Sequence, residues 1–175
     1  MRTVLVHEYV TGGGLAGQPL PESWASEGRA MRRALASDFA EVPGVRVLMT
    51  LDARLPDEPG PWTIVRVADP SAIVSIAAEA DHTAPIAPET GGVLTELARI
   101  LPRSLGSSPD AIALAGDKLR LAAHLTDLGL PTPLSIVVRL RDGLPRDFEY
   151  PAVLKPIDGA GAIGSVLAVT GMETS

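Results

Sequence analysis

Short apolar runs alternate with helical patterns along the first hundred residues of the chain. Three strands are predicted from short runs rich in aliphatic and β-branched residues, at Val4–Val6, Val45–Leu51 and Thr63–Val67. Thr83–Pro88 is ambiguous, because Pro85 would remove a ladder hydrogen bond from a central strand, and we predict a short fourth strand there. Three helices are predicted from apolar residues at helical spacing, two between these strands, over 21–39 and 69–80, and one after the last strand, over 92–101. In the first helix, one face carries Gly28 together with the large apolar residues Trp24, Met31, Leu35 and Phe39. Regular alternation of strand with helix predicts an α/β fold with a parallel, Rossmann-like sheet.

The pattern changes after Arg103. Two short helices are predicted, one ending near residue 115 and one over 118–128, where Asp117 is the N-cap and Gly129 ends the helix. Three strands then follow without a helix between them, at Leu134–Leu140, Ala152–Lys155 and Ser165–Val169. Because no crossover helix separates these strands, we expect antiparallel pairing. The sequence therefore predicts an α/β domain over 1–107 and the incomplete start of an α+β domain over 108–175.

The predicted antiparallel strands have no helix after them that would cover their sheet. A sheet of two or three strands with an uncovered face is only marginally stable. We therefore expect this sequence to be the N-terminal part of a longer protein.

Composition and charge exclude several classes of function. The net charge of −6 argues against a nucleic-acid partner, since phosphate recognition needs a basic surface. The absence of Cys excludes disulfides, thiol catalysis and Cys-ligated zinc, and the three His are far apart, so no metal site is predicted. No stretch approaches the ~20 apolar residues of a membrane helix, and Val4–Val6 is too short for a signal peptide. We expect a cytoplasmic protein without a membrane partner.

One glycine-rich segment lies directly after the first predicted strand. Gly12, Gly14 and Gly17 match the spacing of a dinucleotide-binding loop. Pro19 and Pro21 delay the following helix, so its N-terminus does not follow the last glycine. A loop that shapes a substrate pocket, or a plain turn, is favoured, and an NAD-dependent oxidoreductase remains an alternative.

The two Lys residues stand out against 13 Arg. Lys155 ends a predicted strand before a loop with Gly159, Gly161 and Gly164, which can place backbone N–H groups against phosphate oxygens. Lys118 lies in the first turn of a predicted helix, where the helix dipole disfavours a cation, so a bound anion would explain it. Together they suggest a nucleoside triphosphate. The alternatives are coding bias towards Arg and a hairpin turn with an exposed Lys.

These residues resemble the opening of an ATP-grasp domain. The resemblance is carried by Asp117-Lys118, a helix, Gly129-Leu-Pro-Thr-Pro133, Val153-Leu-Lys155-Pro156 and the glycine-rich hairpin. The N-terminal segments 7–14, 27–31 and 87–90 resemble the ATP-grasp group that includes tyramine–glutamate ligase. The resemblance implies a pre-ATP-grasp domain over 1–107 and the first part of an ATP-grasp domain over 108–175.

The resemblance also implies a function, an ATP-dependent carboxylate–amine ligase that forms an amide through an acyl phosphate. ATP would contact Lys118, Lys155, Gly159, Ala160, Gly161, Gly164 and Ser165. The acceptor would contact Glu8, Gly12, Gly13, Gly14 and Glu89, although solvated strand-end residues are an equally good interpretation of these positions. No catalytic residue is assigned.

Mg²⁺ ligands are expected beyond residue 175, so the chain alone should be inactive. The expected partners are ATP, a small carboxylate and an amine, and a homodimer is left open. The alternative function is a non-catalytic α/β module that binds a nucleotide or another small molecule. The ligase is favoured if the native chain continues past Ser175, and the non-catalytic module is favoured if it ends there.

Overall fold

The computed structural model describes residues 1–159 and 162–169. Backbone contacts divide the chain into two compact units. The first unit contains residues 1–88 and 93–110, and the second contains residues 89–92 and the chain from 111 onward. The domain boundary expected at 107/108 stays a prediction.

The first unit is built on a four-stranded parallel sheet. Its strands are β1 (Arg2–Glu8), β2 (Val45–Asp52), β3 (Thr63–Val67) and β4 (His82–Ile86). They lie in the order β3-β2-β1-β4, with every neighbouring pair parallel. The order reverses between β1 and β4, which is the position where open α/β sheets usually bind ligands. The predicted α/β fold is confirmed.

Helices cover both faces of this sheet. They are α1 (Glu22–Ala40), α2 (Ile73–Ala78) and α3 (Val93–Ile100). Val4 and Val6 pack in one apolar cluster with Ala36 of α1. Leu5 points the other way, into a cluster formed with α2 and α3. Because both faces of β1 are buried, its central residues Val4–Val6 are continuously apolar, as in other parallel sheets.

The buried face of α1 differs from the large apolar face seen in the sequence. Its buried residues are Ala25, Gly28, Arg32 and Ala36. Trp24 and Met31 are 46% and 43% exposed, respectively. The physical reason is the close approach of the helix to the sheet: a Cβ at position 28 would lie 2.5 Å from Oε2 of Glu8. Small residues therefore face the strands, and the bulkiest ones lie beside them.

From Pro109 onward the chain forms two helices and then a two-stranded sheet, and all but residues 109–110 of this segment belong to the second unit. The elements are α4 (Pro109–Gly116), α5 (Lys118–Asp127), β5 (Ala152–Leu154) and β6 (Val166–Ala168). The strands β5 and β6 pair antiparallel, as predicted. The Asp117 carboxylate accepts hydrogen bonds from the backbone N–H groups of Leu119 and Arg120, and Gly129 adopts a φ of +68° after the helix. Both predicted ends of α5 are confirmed.

The predicted strand at Leu134–Leu140 is wrong. Residues 130–139 form no strand, and a short 3₁₀ turn follows at Leu140–Asp142. Leu134 is 76% exposed and Val137 is 56% exposed, so this β-branched run has neither a core nor a strand partner among the described residues. A β-branched run becomes a strand only when neighbours pack against it.

Within residues 1–159 and 162–169, no helix has the length and apolar character needed to cross a membrane.

Candidate functional site

The second unit contains a cavity of about 550 Å³. This volume is within the usual range of small-molecule pockets. The walls comprise the first turn of α5, Ala168 and residues 133–138, 144–145 and 148–157. Both Lys118 and Lys155 line it. The structure therefore brings the two lysines of the chain to one cavity.

Most of the cavity wall is apolar. Leu134, Ile136 and Val138 belong to the irregular segment before β5, and Val153 belongs to β5 itself. Tyr150 donates a hydrogen bond from its hydroxyl to the carbonyl of Pro145 at 2.6 Å, so its polar end is satisfied. An apolar cavity with a few charged groups suits a ligand that has a flat apolar part and an anionic part.

Lys118 makes two contacts with the segment after β5. Its backbone N–H donates to the carbonyl of Ile157 at 2.9 Å. Its Nζ donates to the carbonyl of Gly159 at 2.6 Å. The first of these contacts satisfies a backbone donor that the start of a helix leaves without an intrahelical partner. Lys155, by contrast, is exposed at the end of β5.

The glycine-rich loop has conformational requirements of its own. Gly159 and Gly164 adopt φ values of +86° and +73°, which other residues rarely adopt. The backbone N–H of Ser165 donates to the carbonyl of Ala162 at 3.0 Å, which closes the turn before β6. The other two predicted loop contacts, Ala160 and Gly161, lie outside the described residues. The roles of all these residues in ATP binding stay predictions.

Glu8, a predicted acceptor contact, is 1% exposed at the end of β1. Its carboxylate accepts hydrogen bonds from the backbone N–H groups of Val10 and Thr11 and from the Thr11 hydroxyl. Glu8 thereby holds the loop after β1. Its role towards a substrate stays a prediction.

Gly12, Gly13 and Gly14 are buried in the same loop. Cβ atoms at these positions would overlap with the Glu8 carbonyl, the Val67 side chain and the Tyr9 ring. These overlaps explain the three glycines by packing alone, so the predicted substrate contact is not needed to account for them.

Glu89, the remaining predicted acceptor contact, belongs to the second unit. It is exposed, and a Cβ at Gly116 would lie 3.9 Å from its own Cβ. Glu89 is thus near the start of α5. Glu8 and Gly12–Gly14 belong to the other unit, and a joint action of the two groups stays a prediction.

The first unit contains a buried polar cluster that the sequence pattern did not predict, formed by His7, Arg32, Thr50 and Glu58. Arg32 is fully buried and donates to the carbonyls of Thr11 and Thr50 and to Oε1 of Glu58, the last at 2.7 Å. His7 Nδ1 lies 2.9 Å from the Thr50 hydroxyl. Burial, together with the nearby Arg32 charge, lowers the pKa of His7 to about 4. One sequence signal was available, since Arg32 lies between two small residues at four-residue spacing.

The described residues contain no group of three His, Asp or Glu side chains that could hold a metal ion. The expectation that Mg²⁺ ligands lie beyond residue 175 stays a prediction. The geometry does not support the alternative of an NAD-dependent oxidoreductase. A dinucleotide-binding loop needs a helix that starts at its last glycine, whereas α1 begins at Glu22, five residues after Gly17. The strand-end acid Asp52 is paired with Arg54 at 2.8 Å, and this contact lowers the pKa of Asp52.

Two comparisons relate the chain to known proteins. Residues 45–112 match the family model of the pre ATP-grasp 3 domain. The fold resembles the crystal structure of a protein assigned to the ATP-grasp superfamily, from Archaeoglobus fulgidus, with a TM-score of 0.65 and 20% sequence identity. The match covers 91% of this chain and 48% of that one, so this chain spans about half the length of the solved structure. No curated protein matches the sequence. The two matches support a relationship of this chain to the ATP-grasp superfamily.

Proposed function

We propose that this chain is the N-terminal part of an ATP-dependent carboxylate–amine ligase and that its second unit binds ATP. The observation that carries the proposal is the cavity of about 550 Å³ lined by both Lys118 and Lys155. The relationship to the ATP-grasp superfamily supports the ligase class. The carboxylate and amine used by the tyramine–glutamate ligase-like group are the first substrates to test.

The residues around the cavity fit the two halves of a nucleotide. The apolar wall formed by Ile136, Val138 and Val153 suits the adenine ring. The ammonium groups of Lys118 and Lys155 suit the phosphates, since each is a compact charge with several hydrogen-bond donors. In phosphoryl transfer most of the catalysis is positioning and neutralisation of charge, so two cations that line an apolar cavity are the expected contribution of this unit.

ATP, when bound, supplies the phosphoryl group that converts a carboxylate into an acyl phosphate, and an amine nitrogen then forms the amide as inorganic phosphate leaves. In our proposal the glycine-rich loop around Gly159 and Gly164 covers the phosphates and excludes water, which would otherwise hydrolyse the acyl phosphate. Glu89 is the better exposed of the two acidic candidates for the acceptor side, because the Glu8 carboxylate already has three donors.

Mg²⁺ accompanies ATP in this class of enzyme, yet the described residues supply no cluster of ligands for it. We therefore propose that the metal ligands come from a further part of a longer protein. The isolated chain should then bind ATP weakly and form no amide when it is supplied with ATP, Mg²⁺, glutamate and tyramine. ATP-dependent amide formation by this chain alone would contradict the proposed position of the metal ligands.

Calorimetric titration with ATP in the presence of Mg²⁺ tests the binding site directly. Lys118→Ala and Lys155→Ala should each weaken binding by about tenfold, the loss expected for one charge-assisted phosphate contact. Arg120→Ala is the matched control, since Arg120 is an exposed cation on the same helix and does not line the cavity. Its affinity for ATP should stay within about twofold of the wild type.

Two outcomes would contradict the assignment of the site. Equal affinities in the wild type and in both Lys variants would remove these residues from the site. A thermal shift of the protein with NAD but not with ATP would favour the oxidoreductase alternative. If the longer protein binds ATP through these residues but forms no amide with any carboxylate and amine, the non-catalytic module becomes the better interpretation.

A further inference from the structure

The three residues that follow Pro156 are each tied to another part of the second unit. The carbonyl of Ile157 accepts a hydrogen bond from the backbone N–H of Lys118. The carboxylate of Asp158 accepts one from the backbone N–H of Gly91, with Oδ2 at 3.0 Å. The carbonyl of Gly159 accepts one from Nζ of Lys118 at 2.6 Å. The start of the glycine-rich loop is therefore held by consecutive contacts.

The Asp158 contact links the loop to a second glycine-containing segment. Gly91 and Gly92 have φ values of +65° and +72°, so the turn after Glu89 has a backbone that only glycine adopts readily. Residues 89–92 belong to the second unit although they precede α3 in the chain. The side chain of Asp158 thus joins two glycine-containing segments whose backbones would otherwise have large conformational freedom.

The hydrogen bond to the Gly159 carbonyl fixes the long side chain of Lys118. An ammonium group on a four-carbon stem loses about 2 kcal/mol of rotamer entropy when it is fixed in one place. Bonding to the Gly159 carbonyl holds Lys118 Nζ at the cavity before any ligand arrives. An ammonium group has three N–H donors, so two remain after this bond for a phosphate. The position of the Gly159 carbonyl therefore decides where those donors lie.

We propose that Asp158 is a positioning residue: by binding the Gly91 N–H it fixes the Gly159 carbonyl, and through that carbonyl it fixes Lys118 for a nucleotide phosphate. The proposal rests on the proposed function, since it assigns Asp158 a role at the same site. Asp158 itself does not line the cavity. Its effect on binding is exerted through Lys118, which does.

The test combines amide hydrogen exchange, measured by NMR on the full chain without ligand, with calorimetric titration of ATP and Mg²⁺. Asp158→Ala should speed exchange of the Gly91 amide by about tenfold and weaken ATP binding by roughly three- to tenfold. Asp158→Asn keeps an oxygen acceptor for the Gly91 N–H, so both values should return to within about twofold of the wild type. The matched control is Asp147→Ala, an exposed carboxylate that does not line the cavity, and both values should be unchanged.

The outcomes separate this inference from the proposed function. If Asp158→Ala leaves Gly91 exchange unchanged, the contact does not organise the loop and the inference is overturned. If exchange speeds up but ATP binds with wild-type affinity, Asp158 is structural only and the positioning role is overturned, while ATP binding stands. If the wild type binds no ATP, the proposed function fails and the positioning role fails with it. If Asp158→Asn does not restore Gly91 exchange and ATP affinity, the proposed role of the hydrogen bond is also overturned.

Discussion

Lowering the pH should destabilise the first unit because of one residue, His7. This side chain is fully buried at the carboxyl-terminal part of β1, and its pKa is lowered from 6.5 to about 4 by burial and by the Arg32 charge. An unfolded chain binds a proton on His7 below pH 6.5, whereas the folded chain does so only below about pH 4. The free energy of unfolding is therefore unaffected above pH 6.5 and falls as the pH is lowered from 6.5 towards 4.

The size of the effect follows from the same two values. Each pKa unit corresponds to 1.36 kcal/mol, so the full effect of lowering the pKa from 6.5 to about 4 is roughly 3 kcal/mol. Between pH 7 and pH 4.5, linkage gives a loss of about 2.4 kcal/mol. Asp52, whose pKa is also lowered, loses its contribution only as the pH falls below its ordinary value of 3.8. The two residues therefore act in different pH ranges.

Urea unfolding, followed by tryptophan fluorescence, measures the free energy of unfolding of the first unit. Trp24 and Trp62 are the two tryptophans of the chain, and both belong to the first unit. His7→Gln removes the titrating group and keeps a polar side chain beside Thr50. This variant should be less stable at pH 7 but nearly insensitive to pH between 7 and 4.5. His124→Gln, a change at an exposed histidine of α5, should keep the wild-type pH dependence.

Two results would refute the reasoning. A wild-type unfolding free energy that changes by less than about 1 kcal/mol between pH 7 and 4.5 would show that His7 does not have the lowered pKa. An equal pH dependence in His7→Gln and in the wild type would assign the effect to other groups.

Two further predictions concern the surroundings of His7 and use the same unfolding assay at pH 7. Arg32→Ala should cost about 3–5 kcal/mol, because it removes the 2.7 Å partner of the buried Glu58 carboxylate and leaves only Arg29, 3.4 Å away. Exposed Arg46→Ala should cost less than about 0.5 kcal/mol, and similar losses in the two variants would contradict the role of the cluster. Gly28→Ala should lower the free energy of unfolding by about 1–3 kcal/mol, because the new Cβ would lie 2.5 Å from Glu8 Oε2. This loss is expected although Ala favours helices more than Gly does. A variant as stable as the wild type would contradict the close packing of α1 against Glu8.

The elements that were predicted correctly are those specified by residues within the element or next to its ends. The strand Thr63–Val67 was predicted with the bounds that the structure has. It could be predicted from the sequence because a short run rich in β-branched residues, Ile64, Val65 and Val67, follows a turn-rich segment. The Asp117 cap and the Gly129 end of α5 are likewise set by residues within one turn of the helix. Such features need no knowledge of what packs against them.

The failures depend on distant neighbours. The run Leu134–Leu140 has the composition of a strand, but no strand among the described residues pairs with it. The buried face of α1 was set by Glu8, a residue twenty positions before Gly28, whose carboxylate needs the space that a Cβ would fill. The burial of Arg32 was not predicted, because its partners, two carbonyls and Glu58, are far away in sequence. Periodicity identifies which residues share a face, but it does not identify which face is buried.

Arg32 and Lys118 have different hydrogen-bonding requirements in this chain, which contains 13 Arg and two Lys. Arg32 is fully buried and donates to two carbonyls and one carboxylate at once, which requires the rigid, multiply donating guanidinium. Lys118 is only partly buried and donates from Nζ to one carbonyl, which leaves donors for a ligand at the cavity. An ammonium group can rotate its remaining donors towards a phosphate, while a planar guanidinium bound to the same carbonyl has its other donors fixed in one plane. If Lys118 binds a phosphate as proposed, an ammonium group at this position is better suited to that role than a guanidinium.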